Sequence, residues 1–303
     1  MLDPPDLAAP VLVAALDGWI DAAGAATAAA AHLAADGRPI VSFDGDSLFD
    51  YRSRRPVLDI RDGQLHELNW PELAIRHTRF GGRDVLVLWG PEPDFRWHEL
   101  ARELAQACAR LDVAEWISLG AIPAAVPHTR PVPIMGTASR PGLLPDDVQQ
   151  GPAGLLRVPS AALSVLEMEV TTSGVPAVGF YAQVPHYVGG PFASATIALL
   201  QHVERRVGLT VPLGSLADDA ITQRSQLDAV VAQDEDIGTY VHRLEETFAG
   251  SERVPSGDEL ASEIERYLRQ VQPGAEGSGP RGPVDPRPGP DRPGPDEPPP
   301  VGD

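Results

Sequence analysis

No lysine occurs among the 303 residues: all 24 residues counted as Lys or Arg are arginine. That excludes a Schiff-base lysine, a lysine general base and a Walker-type phosphate lysine. Cysteine is nearly absent too. Cys108 alone rules out an intrachain disulfide and a cysteine-rich zinc site. Its setting, Leu104-Ala-Gln-Ala-Cys-Ala-Arg-Leu111, reads as a helix face, so it is expected to be a small core residue rather than a nucleophile. Long apolar runs are missing as well. Val11–Leu16 is too short for a signal core or a membrane span, and no basic region precedes it, so a cytoplasmic protein without membrane contact is expected. Gly-x-Ser-x-Gly, His-Glu-x-x-His and a glycine-rich dinucleotide loop do not occur. The eight histidines show no ligand spacing, so neither a metal nor another cofactor is expected. His242 with Glu245 and Glu246 reads as a solvated helix face. The net charge of −19 argues against nucleic acid, which needs a basic face.

What is present divides the chain into four parts. Residues 1–212 alternate strand and helix patterns, which predicts a three-layer α/β/α sandwich on a mixed, mostly parallel sheet. Val11–Leu16 and Trp116–Leu119 read as buried strands, with an alanine-rich helix over Ala22–Ala35 after the first. Asp59–Leu68 reads as a hairpin turning at Asp62-Gly63. Asp94 and Ser160 are placed to cap the helices that follow them. Residues 213–250 are helical: Val230, Asp234, Ile237, Val241, Leu244 and Phe248 step by four and three, a short seam that must pack on the core or on a partner. Residues 251–271 open with the capping box Ser256-Gly-Asp-Glu259 and carry an amphipathic helix. Residues 272–303 are proline- and glycine-rich with almost nothing apolar, and read as a disordered tail.

In sheets of this kind ligands gather at the carboxyl ends of the strands. Three polar loops are expected there. Asp17 and Asp21 flank Trp19; two carboxylates can bind a metal or run acid–base chemistry, but ending a strand and capping a helix is the preferred reading. The second loop, Pro123–Arg130, holds three consecutive polar residues among prolines. There His128, Thr129 and Arg130 can grip an anion, or the loop can satisfy its own backbone or meet a neighbouring subunit; both readings stay open. Gln183, His186 and Tyr187 precede a helix N-terminus, which favours an anion, although a structural histidine in a strand-to-helix turn is preferred.

Val126-Pro-His-Thr-Arg-Pro131, Asp17-Gly-Trp-Ile-Asp21 and Val184-Pro-His-Tyr-Val188 together resemble the bacterial branch of the proteasome assembly chaperone 2 family, over about residues 10 to 270. The resemblance implies a phosphorylase/hydrolase-like sandwich, homo-oligomerisation compatible with a trimer, and no established reaction. It carries over no catalytic residue. The resulting expectation is an oligomeric scaffold or assembly-chaperone-like protein with a possible protein client. The alternative is a hydrolase- or transferase-type enzyme binding a small anionic ligand with Asp17, Trp19, His128, Arg130 and His186. An ATP-grasp-type carboxylate-amine ligase ranks last, because such enzymes normally hold phosphate with lysine.

Overall fold

The computed structural model describes residues 6–250 and Ser262. The expected amphipathic helix over 251–271, Ser262 apart, and the tail over 272–303 lie outside the described residues. Strand β1 (Val11–Leu16) is buried at every position. It is followed by a 3-10 turn (Ala22–Gly24), helix α1 (Ala25–Ala34), β2 (Arg38–Ser42) and the short helix α2 (Gly45–Leu48). A hairpin, β3 (Val57–Arg61) and β4 (Gln64–Asn69), precedes β5 (Ala74–Phe80) and β6 (Arg83–Gly90). Helix α3 (Trp97–Arg110) leads to β7 (Glu115–Ala124), β8 (Ile134–Ala138) and the two-residue β9 (Gln149–Gln150). Helix α4 (Ala162–Thr172), β10 (Ala177–Pro185) and α5 (Ala193–Val207) complete the sheet region. Helices α6 (Leu216–Gln233) and α7 (Glu235–Gly250) follow.

Eight strands form one sheet in the order β2-β5-β6-β1-β7-β10-β8-β9. The central four, β6, β1, β7 and β10, are mutually parallel. Antiparallel strands β5 and β8 flank them. Each central strand must bury both faces, which explains the near-continuous apolar runs in β1 and β7. On one face α1 and α5 pack over Val13, Val87, Ile117, Phe180 and their neighbours. On the other, α3 and α4 cover Leu12, Leu86, Leu88 and Trp116. Cys108 is buried in this second cluster, and burial pushes its thiol up to about 12, so it is packing material rather than a nucleophile. The fold is thus the α/β sandwich with a mixed, mostly parallel sheet that the sequence pattern predicts. Around β1 the chain reverses its order, running first to β6 on one side and then through α3 to β7 on the other. A parallel sheet opens a crevice at such a point, on the carboxyl rim of its strands.

Three local expectations are corrected. Asp94 does not cap α3: Arg96 holds the cap position, and the Asp94 carboxylate instead accepts the Asp50 backbone N–H at 2.8 Å. Ser160 does not cap α4. Its first N–H, from Ala162, is taken at 2.7 Å by the Glu92 carboxylate from across the rim. The seam beyond residue 213 is not one helix. Asp234 leaves helical geometry (φ −129°, ψ 111°), and its carboxylate accepts the N–H groups of Asp236 and Ile237 at 2.9 and 3.1 Å. A short acidic side chain competes well for backbone donors, so the polar break in the pattern ends one helix and caps the next.

Candidate functional site

Because β6, β1, β7 and β10 run parallel, the residues just past Gly90, Leu16, Ala124 and Pro185 meet on one rim. Asp17 stands at the end of β1. It forms a bidentate pair with the Arg54 guanidinium (2.8 and 2.9 Å) and accepts the Glu92 N–H at 2.8 Å. This fork ties the segment leading into the β3–β4 hairpin to the centre of the sheet. Glu92 lies behind it, and burial raises its carboxyl above the usual range. Gly18 makes room for this packing: its φ is +96°, and a Cβ there would stand 3.0 Å from Glu92 Oε2.

Asp21 faces the other way. Its carboxylate accepts the N–H of Ala26 at 2.7 Å and of Thr27 at 3.3 Å, and also accepts a hydrogen bond from the Thr27 hydroxyl. Positive φ at Ala23 and Gly24 turns the chain so that this carboxylate reaches the first turn of α1. Burial raises its pKa, opposed by those three donors. Asp21 is therefore a helix cap. Trp19, between the two acids, is half-buried.

The second and third loops do come together. The backbone N–H of His128 donates to Tyr187 Oη at 2.8 Å, and the same hydroxyl lies 2.8 Å from His128 Nδ1. One proton arrangement satisfies every partner: the tyrosine accepts the backbone N–H and donates to Nδ1, leaving Nε2–H to donate to Asp228 Oδ1 at 3.2 Å. The His128 side chain has no exposed area. Burial lowers its pKa, against a raising contribution from Asp228, so the ring is held neutral. His186, past the end of the neighbouring strand β10, has protein partners on both ring nitrogens. Its N–H and Nδ1 both reach the Ala124 carbonyl, at 3.1 and 3.2 Å, and Tyr240 Oη lies 3.1 Å from Nε2. The rings of His128, Tyr187, His186 and Tyr240 pack edge to face, with neighbouring centroids 5.6 to 5.7 Å apart.

Asp228 belongs to α6 and Tyr240 to α7, so these contacts latch the helical pair onto the rim. Arg224 of α6 adds a bond to the His128 carbonyl at 3.2 Å while pairing with Asp228. Thr129 donates to Glu245 of α7, which lowers the Glu245 pKa and corrects the reading of this carboxylate as part of a solvated face: it is turned to the rim. Gln223 of α6 accepts the Ala193 N–H at the start of α5, at 2.8 Å. Arg130 is exposed at the edge of this cluster, where its charge also favours ionised Glu245. Gln183 is buried in β10, its backbone N–H on the Pro133 carbonyl at 3.0 Å. The nine sequence-selected residues thus fall into a hairpin anchor (Asp17), a helix cap (Asp21) and a latch (His128, Thr129, His186, Tyr187), with Trp19, Gln183 and Arg130 beside them.

Sequence reasoning missed the partners Arg54, Glu92, Arg224, Asp228, Tyr240 and Glu245, which lie 37 to 116 residues from the groups they meet. It also missed a buried polar chain at the centre of the sheet. Trp116 Nε1 donates to Ser118 Oγ at 2.7 Å, and Ser118 donates onward to Glu167. Burial raises the Glu167 pKa. Among the described residues no group of three or more His, Cys, Asp or Glu could hold a metal ion, and no helix is long and apolar enough to cross a membrane.

Residues 15–231 match the model of the PAC2 family. A Mycobacterium tuberculosis proteasome-assembly chaperone homologue of known structure is 39% identical, over 76% of this chain and 99% of its own, with a TM-score of 0.70. A second Mycobacterium tuberculosis protein, of unknown function, is 34% identical over 88% of this chain and 94% of its own, with a TM-score of 0.77. A PAC2 family protein from Streptomyces avermitilis is 34% identical over 77% and 99%, with a TM-score of 0.69. No curated protein matches the chain.

Proposed function

The chain belongs to the PAC2 family, and we propose that it is a cytoplasmic, homo-oligomeric assembly factor without a reaction of its own, whose client is a protein complex of the proteasome type. One observation carries the reading. At the carboxyl rim, where a sheet of this kind would hold a small ligand, the rim histidines are already engaged by the chain's own helices α6 and α7. His128 is buried and held neutral, His186 is turned to Tyr240, and Thr129 is turned to Glu245. A catalytic histidine needs access to substrate and a pKa near the working pH. The likeness to a proteasome-assembly chaperone homologue supports the choice of client. In this reading residues 1–212 are the core domain and 213–250 are a segment latched to it.

The test is a reconstitution. Unassembled proteasome α- and β-type subunits from the source cell are mixed with and without the full-length chain, and ring assembly is followed by native electrophoresis and light scattering. Faster or more complete assembly, with transient co-elution of the chain, is the expected result. Unchanged assembly and no co-elution would refute the proposed role.

The competing reading, an enzyme with a small anionic ligand, draws on the exposure of Arg130 beside the rim. It requires the latch to open, since the neighbouring histidines otherwise keep their protein partners. A thermal shift with phosphate or carboxylate metabolites that disappears in Arg130→Ala would favour it.

A further inference from the structure

This acidic chain carries one short stretch of opposite character. Residues 51–56 read Tyr-Arg-Ser-Arg-Arg-Pro. Arg54 is engaged by Asp17. Arg52 and Arg55 are exposed and pair with no acid among the described residues. Tyr51, the residue before Arg52, meets Trp70: the ring centroids are 4.7 Å apart and the planes are inclined at 65°. The Tyr51 hydroxyl donates to Asp46 at 2.7 Å, which fixes the half-buried ring. Trp70 is 52% exposed, and its indole N–H has no acceptor among the described residues.

Trp, Tyr and Arg are the side chains that anchor protein contacts. Two inclined aromatic rings offer a ridged apolar surface, and the indole adds a donor at its edge. A polyproline II helix fits both features. Its pyrrolidine rings pack on aromatic side chains, and its carbonyls have no internal partner and accept from outside.

The chain itself contains such a segment. Arg287-Pro-Gly-Pro-Asp291 is followed at once by its exact repeat, Arg292-Pro-Gly-Pro-Asp296. Four prolines in ten residues fix φ near −65° at those positions and favour the extended helix. Residues 272–303 hold six acids against three arginines, so the segment is negative where the Arg52 and Arg55 surface is positive.

We propose that the Tyr51–Trp70 pair, with Arg52 and Arg55, is a docking site for a proline-rich, acid-bearing segment, and that its occupant is the Arg-Pro-Gly-Pro-Asp repeat of the same chain. Reach permits it. The 36 residues from 251 to 286 can span up to roughly 90 Å even with 256–271 helical, against a radius of about 18 Å for a domain of this size. Tethering also makes a weak site sufficient: at an effective concentration on the order of 1 mM, a site of ~0.1 mM affinity is about nine-tenths filled. The docked repeat covers the one exposed tryptophan of the five, and closes the site to other proline-rich segments until it leaves.

The test uses contact quenching in the full chain. An oxazine dye, which tryptophan quenches on contact, is attached at Val284→Cys, just before the repeats; Cys108 is buried and stays unlabelled. The dye should be quenched and should brighten several-fold in Trp70→Phe. It should brighten equally when Pro288, Pro290, Pro293 and Pro295 are changed to alanine, which leaves residues 6–250 untouched, and when the free ten-residue repeat peptide is added at millimolar concentration. A dye as bright in the parent as in Trp70→Phe overturns the site. Quenching that survives the four alanines overturns the polyproline recognition. To separate the chain's own tail from a neighbour's, the labelled chain is co-expressed with excess unlabelled Trp70→Phe. Retained quenching is expected; its loss would assign the tail to another copy and overturn the occupant named here.

Discussion

Replacing Tyr187 by phenylalanine removes one oxygen and two bonds. The hydroxyl accepts the His128 N–H and serves Nδ1, each at 2.8 Å, and His128 is only 4% exposed. The ring cannot compensate by moving its proton to Nδ1, because Nε2 would then lose its bond to Asp228. Leaving a buried donor without a partner costs about 1–3 kcal/mol, and an unmet ring nitrogen adds to it. Tyr187 is itself half-buried, so water can replace part of the loss. The expected cost is roughly 2 kcal/mol, which lowers the melting temperature by about 4–8 °C for a domain of this size. Tyr240→Phe is the internal standard. It removes the 3.1 Å bond to His186, worth about 0.5–1.5 kcal/mol net. Calorimetry gives the melting temperatures, and hydrogen exchange across residues 216–248 reports whether the helices detach first. Tyr187→Phe should exceed Tyr240→Phe in both. Unchanged melting together with unchanged exchange in Tyr187→Phe would refute the proton arrangement and the latch.

Asp21→Ala removes three donors' partner at the start of α1 and should cost about 1–2 kcal/mol, read as a shift in the urea midpoint with an unchanged slope; no shift would mean that the cap is idle. His128 has its folded pKa below the unfolded value of about 6.5, so between those two values the unfolded chain binds a proton that the folded chain refuses. Stability should therefore fall as pH drops below about 6.5, and that part of the pH dependence should vanish in His128→Gln; an identical pH slope in the variant would contradict it. Glu167 has the opposite sign: its folded pKa is raised, so ionisation disfavours the fold at neutral pH and the penalty is relieved as pH falls through the folded value. Glu167→Gln can still accept from Ser118 and should be at least as stable as wild type at pH 7, with the advantage shrinking toward pH 4; a large loss at pH 7 would show that the charge itself is needed.

The sandwich was legible because its signal is local and periodic. The unbroken apolar run Val11–Leu16 fits a strand covered on both faces, and the alanine-rich stretch behind it fits a helix pressed closely to a sheet, which is what the structure shows. Caps were harder to read. Asp94 and Ser160 have the right chemistry in the right place, yet a more distant carboxylate, Glu92, took the donor at α4, and Asp94 was drawn to Asp50. Short-range capping is a preference of about 1 kcal/mol, which a tertiary contact easily overrides. Asp21 kept its cap because two positive-φ residues bring the helix back to it.

The latch could not be read because its halves are far apart in sequence. His128, Thr129, His186 and Tyr187 stood out as polar groups among prolines, glycines and strand residues, which is a legible anomaly. Nothing local says that Asp228, Tyr240 and Glu245, on two later helices, are their partners. That difference bears on function. A polar rim read alone is an empty receptor for a ligand; the same rim with its helices in place is a set of bonds already made. Any ligand for it must first displace Asp228 from His128 and Tyr240 from His186, against hydrogen bonds worth about 0.5–1.5 kcal/mol each. The cost is small enough for a large protein surface to meet and large for a small metabolite with few contacts of its own. The balance of those magnitudes, more than the missing catalytic motifs, is what turns the reading toward a protein client.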